Sequence, residues 1–416
     1  MYIGNQEAIM LGRLKFDISD LVDEILDQLP KEVWSSSTTT FLDPAIGGGQ
    51  FVRAIENRLR DAGHSDKNIA SRVYGYESNR MRINFAVNKY KLAGVYTNKN
   101  ILEEDNDMKF DVVVGNPPYQ NPGKSKGEKL WYRFIRKSVD LLNDDGYLAF
   151  VTPNSWLSGG TNMSSGKWGV LKDVFCKYQL IFANVHNVTK NHFPKIGIQI
   201  SFWIMQKSKI TKDSILELED GSIEIDLRTA DILSPEPNSL SMSVLNKVLH
   251  KLDNETFEVQ YFQHHTKPGT YHEEEHSTGE YTYAHWIMGS DITNDLSVRY
   301  INFDKSPKIR YKKILMPVQS RYWQPYLDLD GIGALAQGYA IKVDNNITKE
   351  GFESVFYSNI FRYINKTLQI DKTGCMKTNI VRKLPKLDMS KIWSNDELYR
   401  YFNLTQKEID YIEENS

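Results

Sequence analysis

The stretch Asp111-Val112-Val113-Val114-Gly115-Asn116-Pro117-Pro118-Tyr119 runs from an apolar, strand-like segment into a loop of restricted shape. Two consecutive prolines remove two backbone donors and limit the conformations around them. That leaves the Asn116 side-chain oxygen and the Pro117 carbonyl as fixed acceptors. Two converging acceptors suit an exocyclic amine, which has two N–H donors and a lone pair delocalised into its ring. Holding both hydrogens favours the geometry in which the nitrogen lone pair attacks a methyl group. The aromatic face of Tyr119 offers a surface on which a base stacks.

A second constellation lies upstream. Asp43-Pro44-Ala45-Ile46-Gly47-Gly48-Gly49-Gln50-Phe51 follows the β-rich run Thr38 to Leu42 and opens a helical pattern. Glycines there let the backbone approach a ligand, and a helix amino end favours polar or anionic groups. Val52 stands where the dinucleotide fingerprint needs its third glycine, so a pyrophosphate cradle is not supported. Glu77 follows the next strand-like run, Val73 to Tyr76, and is placed to accept from two ribose hydroxyls.

These residues need a frame that brings strand ends together. Further strand-like runs occur at Phe110 to Val114, Tyr147 to Val151 and Ile198 to Ile204, with helical patterns over Gln50 to Ala62 and Leu130 to Leu142. Such alternation predicts an α/β, doubly wound, Rossmann-like domain with a mostly parallel sheet. The last strand, after Phe193-Pro194, is a candidate for antiparallel addition. Near Ser234-Pro235-Glu236-Pro237 the character changes, so the boundary is set near 240, with a catalytic domain over 1–240 and an α+β domain over 241–416.

A net charge of −2 and 40% apolar residues describe an ordinary globular chain. Two basic patches stand out: seven basic against three acidic residues from Arg299 to Asp330, and eight against two from Phe361 to Lys391. Interleaved with aromatics, as at Arg321-Tyr322-Trp323 and Arg362-Tyr363, they are candidates for phosphate contact. Two cysteines, Cys176 and Cys375, give no disulfide framework and suit a reducing cytoplasm. The sequence shows no long apolar span and no basic-then-apolar leader. His264, His265, His272 and His276 with Glu273 to Glu275 fit no familiar zinc spacing, so no metal is expected.

The order of these motifs resembles the gamma-class amino-methyltransferases of DNA, in which a cofactor motif precedes Asn-Pro-Pro-Tyr and a target-recognition domain follows. The resemblance covers roughly residues 15 to 207. It implies S-adenosyl-L-methionine as cofactor, with its methionine part at Asp43, Pro44, Ala45, Gly47 and Gly49, its ribose at Glu77, and its adenine at Asn100 and Ile101. The family carries an acidic residue where this chain has Asn100, and an aromatic-x-Thr-Pro segment where it has Phe16-Asp17-Ile18-Ser19. His192-Phe193-Pro194 resembles the Phe-Pro turn whose phenylalanine packs against an extruded base, which makes Phe193 a further candidate beside Asn116, Pro117, Pro118 and Tyr119. The implied partners are double-stranded DNA and a separate cognate restriction endonuclease. The loops Asn121 to Gly127 and Ser158 to Gly166 are further candidates for DNA contact. Adenine N6 ranks first as target. Cytosine N4, RNA amino groups and protein glutamine amides present the same donors and remain open, although the enzymes acting on RNA or protein usually lack so long a carboxyl-terminal extension.

Overall fold

The computed structural model describes residues 18–416 apart from 106, 121–129, 158–168, 195, 197, 229–232, 235–236, 250–256, 265–270, 273–280, 288–296, 303–308, 310, 318–324, 332 and 369–380. The chain divides into two compact units, Met1–Asp231 and Ile232–Ser416. The division falls slightly before the position read from the Ser-Pro-Glu-Pro segment.

The first unit is built on nine strands: β1 (Phe41–Asp43), β2 (Val73–Tyr76), β3 (Val95–Thr97), β4 (Phe110–Gly115), β5 (Leu142–Pro153), β6 (Gln179–Asn184), β7 (Ile200–Gln206), β8 (Ser214–Leu218) and β9 (Gly221–Ile225). Their order across the sheet is β3-β2-β1-β4-β5-β7-β6-β8-β9. Strands β1 to β5 pair in parallel, whereas β7 enters antiparallel to both β5 and β6. This is the doubly wound α/β fold that the alternating pattern predicts, with the antiparallel addition after Phe193-Pro194 in place.

The sequence pattern also explains the helices that cover the sheet. Helix α1 (Gln50–Asp61) buries Phe51, Val52, Ile55 and Leu59, which recur on one face at helical spacing. Its last turn carries Arg58 and Arg60, favourably placed against the helix dipole. Helix α2 (Arg80–Tyr90) starts at Asn79, whose side chain accepts from the Met81 N–H. Helix α3 (Leu130–Leu141) buries Trp131, Phe134, Ile135 and Leu141, and helix α4 (Asn187–His192) leads into Phe193. The strand residues Phe41, Val112, Val114, Ala149, Val151, Phe202 and Ile204 share one buried cluster with Phe51, Ile55 and Leu59 of α1.

The second unit has a seven-stranded sheet over β10 (Val259–His264), β11 (Tyr271–His272), β12 (Tyr281–Ile287), β13 (Ser297–Asn302), β14 (Lys313–Pro317), β15 (Tyr326–Asp328) and β16 (Gly333–Lys342). Its core combines Ile314, Met316 and Ile341 from these strands with Phe356, Phe361, Ile364, Leu398 and Ile412 from helices nearer the carboxyl end. This unit is α+β. Two of its helices begin in capping boxes, Ser394 with Glu397 and Thr405 with Glu408.

Two expectations about the basic patches change here. Lys313 is fully buried, donating to the buried Asp328 carboxylate opposite it across the β14–β15 pair, and so adds nothing to an exposed positive surface. Tyr363 is 1% exposed and belongs to the core, so it offers no face for stacking, while neighbouring Arg362 is exposed. Arg321-Tyr322-Trp323 lies outside the described residues.

Candidate functional site

In a sheet ordered β3-β2-β1-β4-β5, the chain winds outward from β1 and then returns to lay β4 on its other side. The crevice above the carboxyl ends of β1 and β4 is the point where such folds take ligands. The pairing register sets the two motifs there. Leu42 pairs with Val113 and Asp43 with Gly75, so Asp43, Glu77 and Asn116 all emerge at the same end of the sheet.

Asp43 is 1% exposed, and its Oδ1 accepts from the Ala45 N–H at 3.0 Å. Burial pushes its carboxyl up to about 7, the Ala45 N–H opposes that rise, and the nearby negative charge of Glu77 adds to it. The β4 chain passes close by: a Cβ on Gly115 would stand 3.0 Å from the Asp43 Oδ1 and 3.6 Å from Pro44 Cδ. Gly115, which sequence reading treats only as the last residue before the loop, is therefore what lets β4 and its Asn116 lie against the first motif.

The glycines of the first motif have separate tasks. Gly47 and Gly49 have φ of +55° and +84°, in the left-handed region that glycine adopts readily. At Gly49 a Cβ would collide with the Ala86 Cβ at 2.7 Å, so that glycine lets α1 pack against α2. At Gly47 the nearest atom to such a Cβ is 3.8 Å away, so the turn is open on that side. Pro44 is buried and Ala45 half-buried within the same turn.

Glu77 is 8% exposed and joins two segments. One carboxylate oxygen accepts from the Gly47 N–H at 3.1 Å, the other from the Asn79 N–H at 2.9 Å. Asn98 holds the same turn from β3, donating to the Glu77 carbonyl at 2.9 Å and to that of Ser78 at 3.0 Å. The Ser78 hydroxyl also donates to the oxygen that takes Asn79, at 3.4 Å, and Arg82 stands 3.8 Å from the other, so of about four lone-pair positions Glu77 retains one for a hydroxyl donor. Asn100 accepts from the Leu102 N–H at 3.2 Å and donates to Glu103 at 2.7 Å, capping a short turn. Its neighbour Ile101 is buried.

In the second motif Asn116 is half-buried, Pro117 buried and Pro118 exposed. The Tyr119 hydroxyl donates to the Asn116 Oδ1 at 2.9 Å, and burial of the phenol holds its pKa well above the usual value. The Tyr119 ring is half-buried against the cluster that contains Phe193, itself 7% exposed. The two aromatic candidates, far apart in sequence, thus share one apolar cluster, Phe193 as a buried member and Tyr119 packed against it. Of the remaining candidates, Phe16, Asp17 and the loops 121–127 and 158–166 lie outside the described residues, as do His265, Glu273 to Glu275 and His276. Among the described residues no group of three His, Cys, Asp or Glu is arranged to hold a metal ion, and no helix is long and apolar enough to cross a membrane.

Residues 50–174 match the Eco57I restriction-modification methylase family. The matched segment contains Glu77, Asn100 and the whole Asn116 loop, and the resemblance read from those motifs holds. An uncharacterized adenine-specific methylase of Mycoplasma pneumoniae is 30% identical over 151 residues, 34% of each chain. A release factor glutamine methyltransferase of Fusobacterium nucleatum is 29% identical over 170 residues, 35% of this chain and 44% of that one. The chain thus spans about a third to under a half of the length of these relatives. Among solved structures, the Type IIL restriction-modification enzyme MmeI in complex with DNA aligns over 92% of this chain and 66% of its own, at 14% identity and a TM-score of 0.46.

Proposed function

We propose that this protein transfers a methyl group from S-adenosylmethionine to an exocyclic amine of duplex DNA, with adenine N6 as the target. The reading is carried by one observation: an Asn-Pro-Pro-Tyr loop leaves the carboxyl end of β4 directly beside the glycine turn that ends β1. The family match over residues 50–174 supports it.

The residues present fit the cofactor. The open left-handed turn at Gly47 admits a close-packed ligand, Glu77 keeps an acceptor position for a ribose hydroxyl, and Asn100 keeps a second lone pair for an adenine amino group. When bound, S-adenosylmethionine would supply an electrophilic sulfonium methyl group with a neutral thioether as its leaving group. Asn116 Oδ1 and the Pro117 carbonyl accept the two amine hydrogens and orient the nitrogen lone pair toward the incoming carbon. Positive charge grows on that nitrogen as the new bond forms, both oxygens stabilise it without reorganising, and one of the two held N–H protons then leaves to solvent to give the neutral methylated amine. No side chain attacks, so no covalent enzyme–base intermediate arises, and positioning supplies much of the rate.

An amine inside a duplex is out of reach of this loop, so the base is extruded onto the Tyr119 ring with Phe193 beside it. The second unit supplies duplex contact through exposed cations such as Arg362, Lys366 and Arg382. Placement in a restriction–modification system, with a separate endonuclease as companion, follows from the same reading.

The test is transfer of tritiated methyl from the cofactor to a pooled random-sequence duplex, with RNA and release-factor protein as parallel substrates. Asn116→Ala is expected to lower turnover on DNA by roughly 10²–10³-fold, the scale of losing one preorganised hydrogen-bonding group, with cofactor affinity little changed. Label appearing only on a glutamine amide would move the assignment to protein substrates, the reading that the Fusobacterium relative favours.

A further inference from the structure

The geometry points to a second task for Tyr119, carried by its hydroxyl and separate from its ring: it fixes which end of the Asn116 amide faces the amine. This rests on the function proposed above and adds a positioning group to it.

The oxygen and nitrogen ends of an asparagine amide are nearly identical in shape but opposite in hydrogen bonding. The rest of the loop is constrained. Pro117 and Pro118 fix their own φ angles. Tyr119 is tied at both ends, its carbonyl accepting from the Leu130 N–H at 3.1 Å at the start of α3, and its ring packed on the Phe193 cluster. What remains free is a half-turn of the Asn116 amide. In one orientation its carbonyl meets the incoming N–H. In the other its NH2 group faces the amine, repels the N–H and can donate to the lone pair that must attack.

The Tyr119 hydroxyl decides between them. It donates to Oδ1 at 2.9 Å, and burial keeps the phenol protonated, so it stays a donor throughout the assay range. Turning the amide over would leave the phenol oxygen to accept from Nδ2 while its own proton loses the Oδ1 acceptor, so the present orientation is the one that satisfies the O–H. Oδ1 has two lone pairs, so the bond to Tyr119 leaves one for the substrate.

Tyr119→Phe keeps the ring and deletes the donor. The duplex sequence methylated by the wild-type chain is first identified by sequencing the treated pool, and kinetics are then measured on it. The expected result is a fall in kcat of roughly tenfold, the upper range for one net hydrogen bond, with KM and duplex affinity within about twofold. Tyr119→Ala, which also loses the ring, is expected to weaken duplex affinity as well. A second arm needs no substrate. In the full-length protein labelled with 15N-asparagine, the Asn116 side-chain NH2 resonances are expected to broaden or split in Tyr119→Phe. Unchanged resonances together with an unchanged kcat would overturn the inference. Altered resonances in a protein whose wild type transfers nothing to DNA would instead overturn the proposed substrate and leave the orienting role standing.

Discussion

Asp43 makes the structure testable through pH. Its carboxyl is buried at the end of β1 and pushed up to about 7 chiefly by desolvation, against about 3.9 for an unfolded aspartate. Because the folded state binds the proton more tightly, the contribution of this group to stability is full below pH 4 and falls as pH rises toward 7, beyond which it adds no further loss. At about 1.4 kcal/mol per unit, the wild type should lose roughly 2.5 kcal/mol between pH 5 and pH 8 from this residue alone. Asp43→Asn retains an oxygen to accept from the Ala45 N–H, which now meets Oδ1 at 3.0 Å, but has no proton to lose. Urea unfolding followed by the tryptophans of the first unit, at pH 5 and pH 8, compares the two proteins. The variant should show a midpoint less sensitive to pH and a gain over wild type at pH 8. Equal pH dependence in both proteins would refute the argument from burial.

Three other outcomes follow from particular contacts. Gly49→Ala places a methyl 2.7 Å from the Ala86 Cβ at a φ of +84°, and should cost roughly 1–3 kcal/mol in the same unfolding assay. Lys313→Met leaves the Asp328 carboxylate buried without its cation, and should cost about 3–5 kcal/mol, read as a lower unfolding midpoint of the second unit; an unchanged midpoint would refute it. A duplex abasic at the target position should bind more tightly than the matched one, since no base need be unstacked, and Tyr119→Ala should weaken only the matched duplex.

Much of the first unit was legible because its strands are short apolar runs separated by helical periodicity, and because the ligand-facing turns carry glycine and proline. Helices over 50–61 and 130–141 end within a residue of where periodicity places them. Strands β3 and β6 escaped that reading: Val95–Thr97 is too short for a pattern, and Gln179–Asn184 follows a helical turn without a glycine or proline to mark it. The β8–β9 hairpin did carry a signal, alternating residues around Asp220-Gly221, which went unused. At the site, residue types pointed to Asp43, Glu77 and Asn116, but not to Gly115, Asn79 or Asn98. Those three act through close approach and backbone hydrogen bonds, which only the pairing of distant strands creates. The first basic patch misled at Lys313 for the opposite reason. Counting charges along the chain ignores which side of a strand each one occupies, and Lys313 points inward.

Glu77 ties the Gly47 turn to the start of α2 before any ligand arrives. On the function proposed above, natural selection on this position answers to two demands at once, the turn and the ribose, and a survey of tolerated substitutions could not tell them apart. A variant such as Glu77→Ala would lose the turn as well as the acceptor, so its failure to bind a nucleoside would say nothing about recognition. Glu77→Gln is the more discriminating change, since its amide carbonyl can keep one of the two backbone N–H groups. On the same proposed reading, cofactor preference changes more readily at Asn100, whose hydrogen bonds to Leu102 and Glu103 hold a local turn, than at this shared carboxylate.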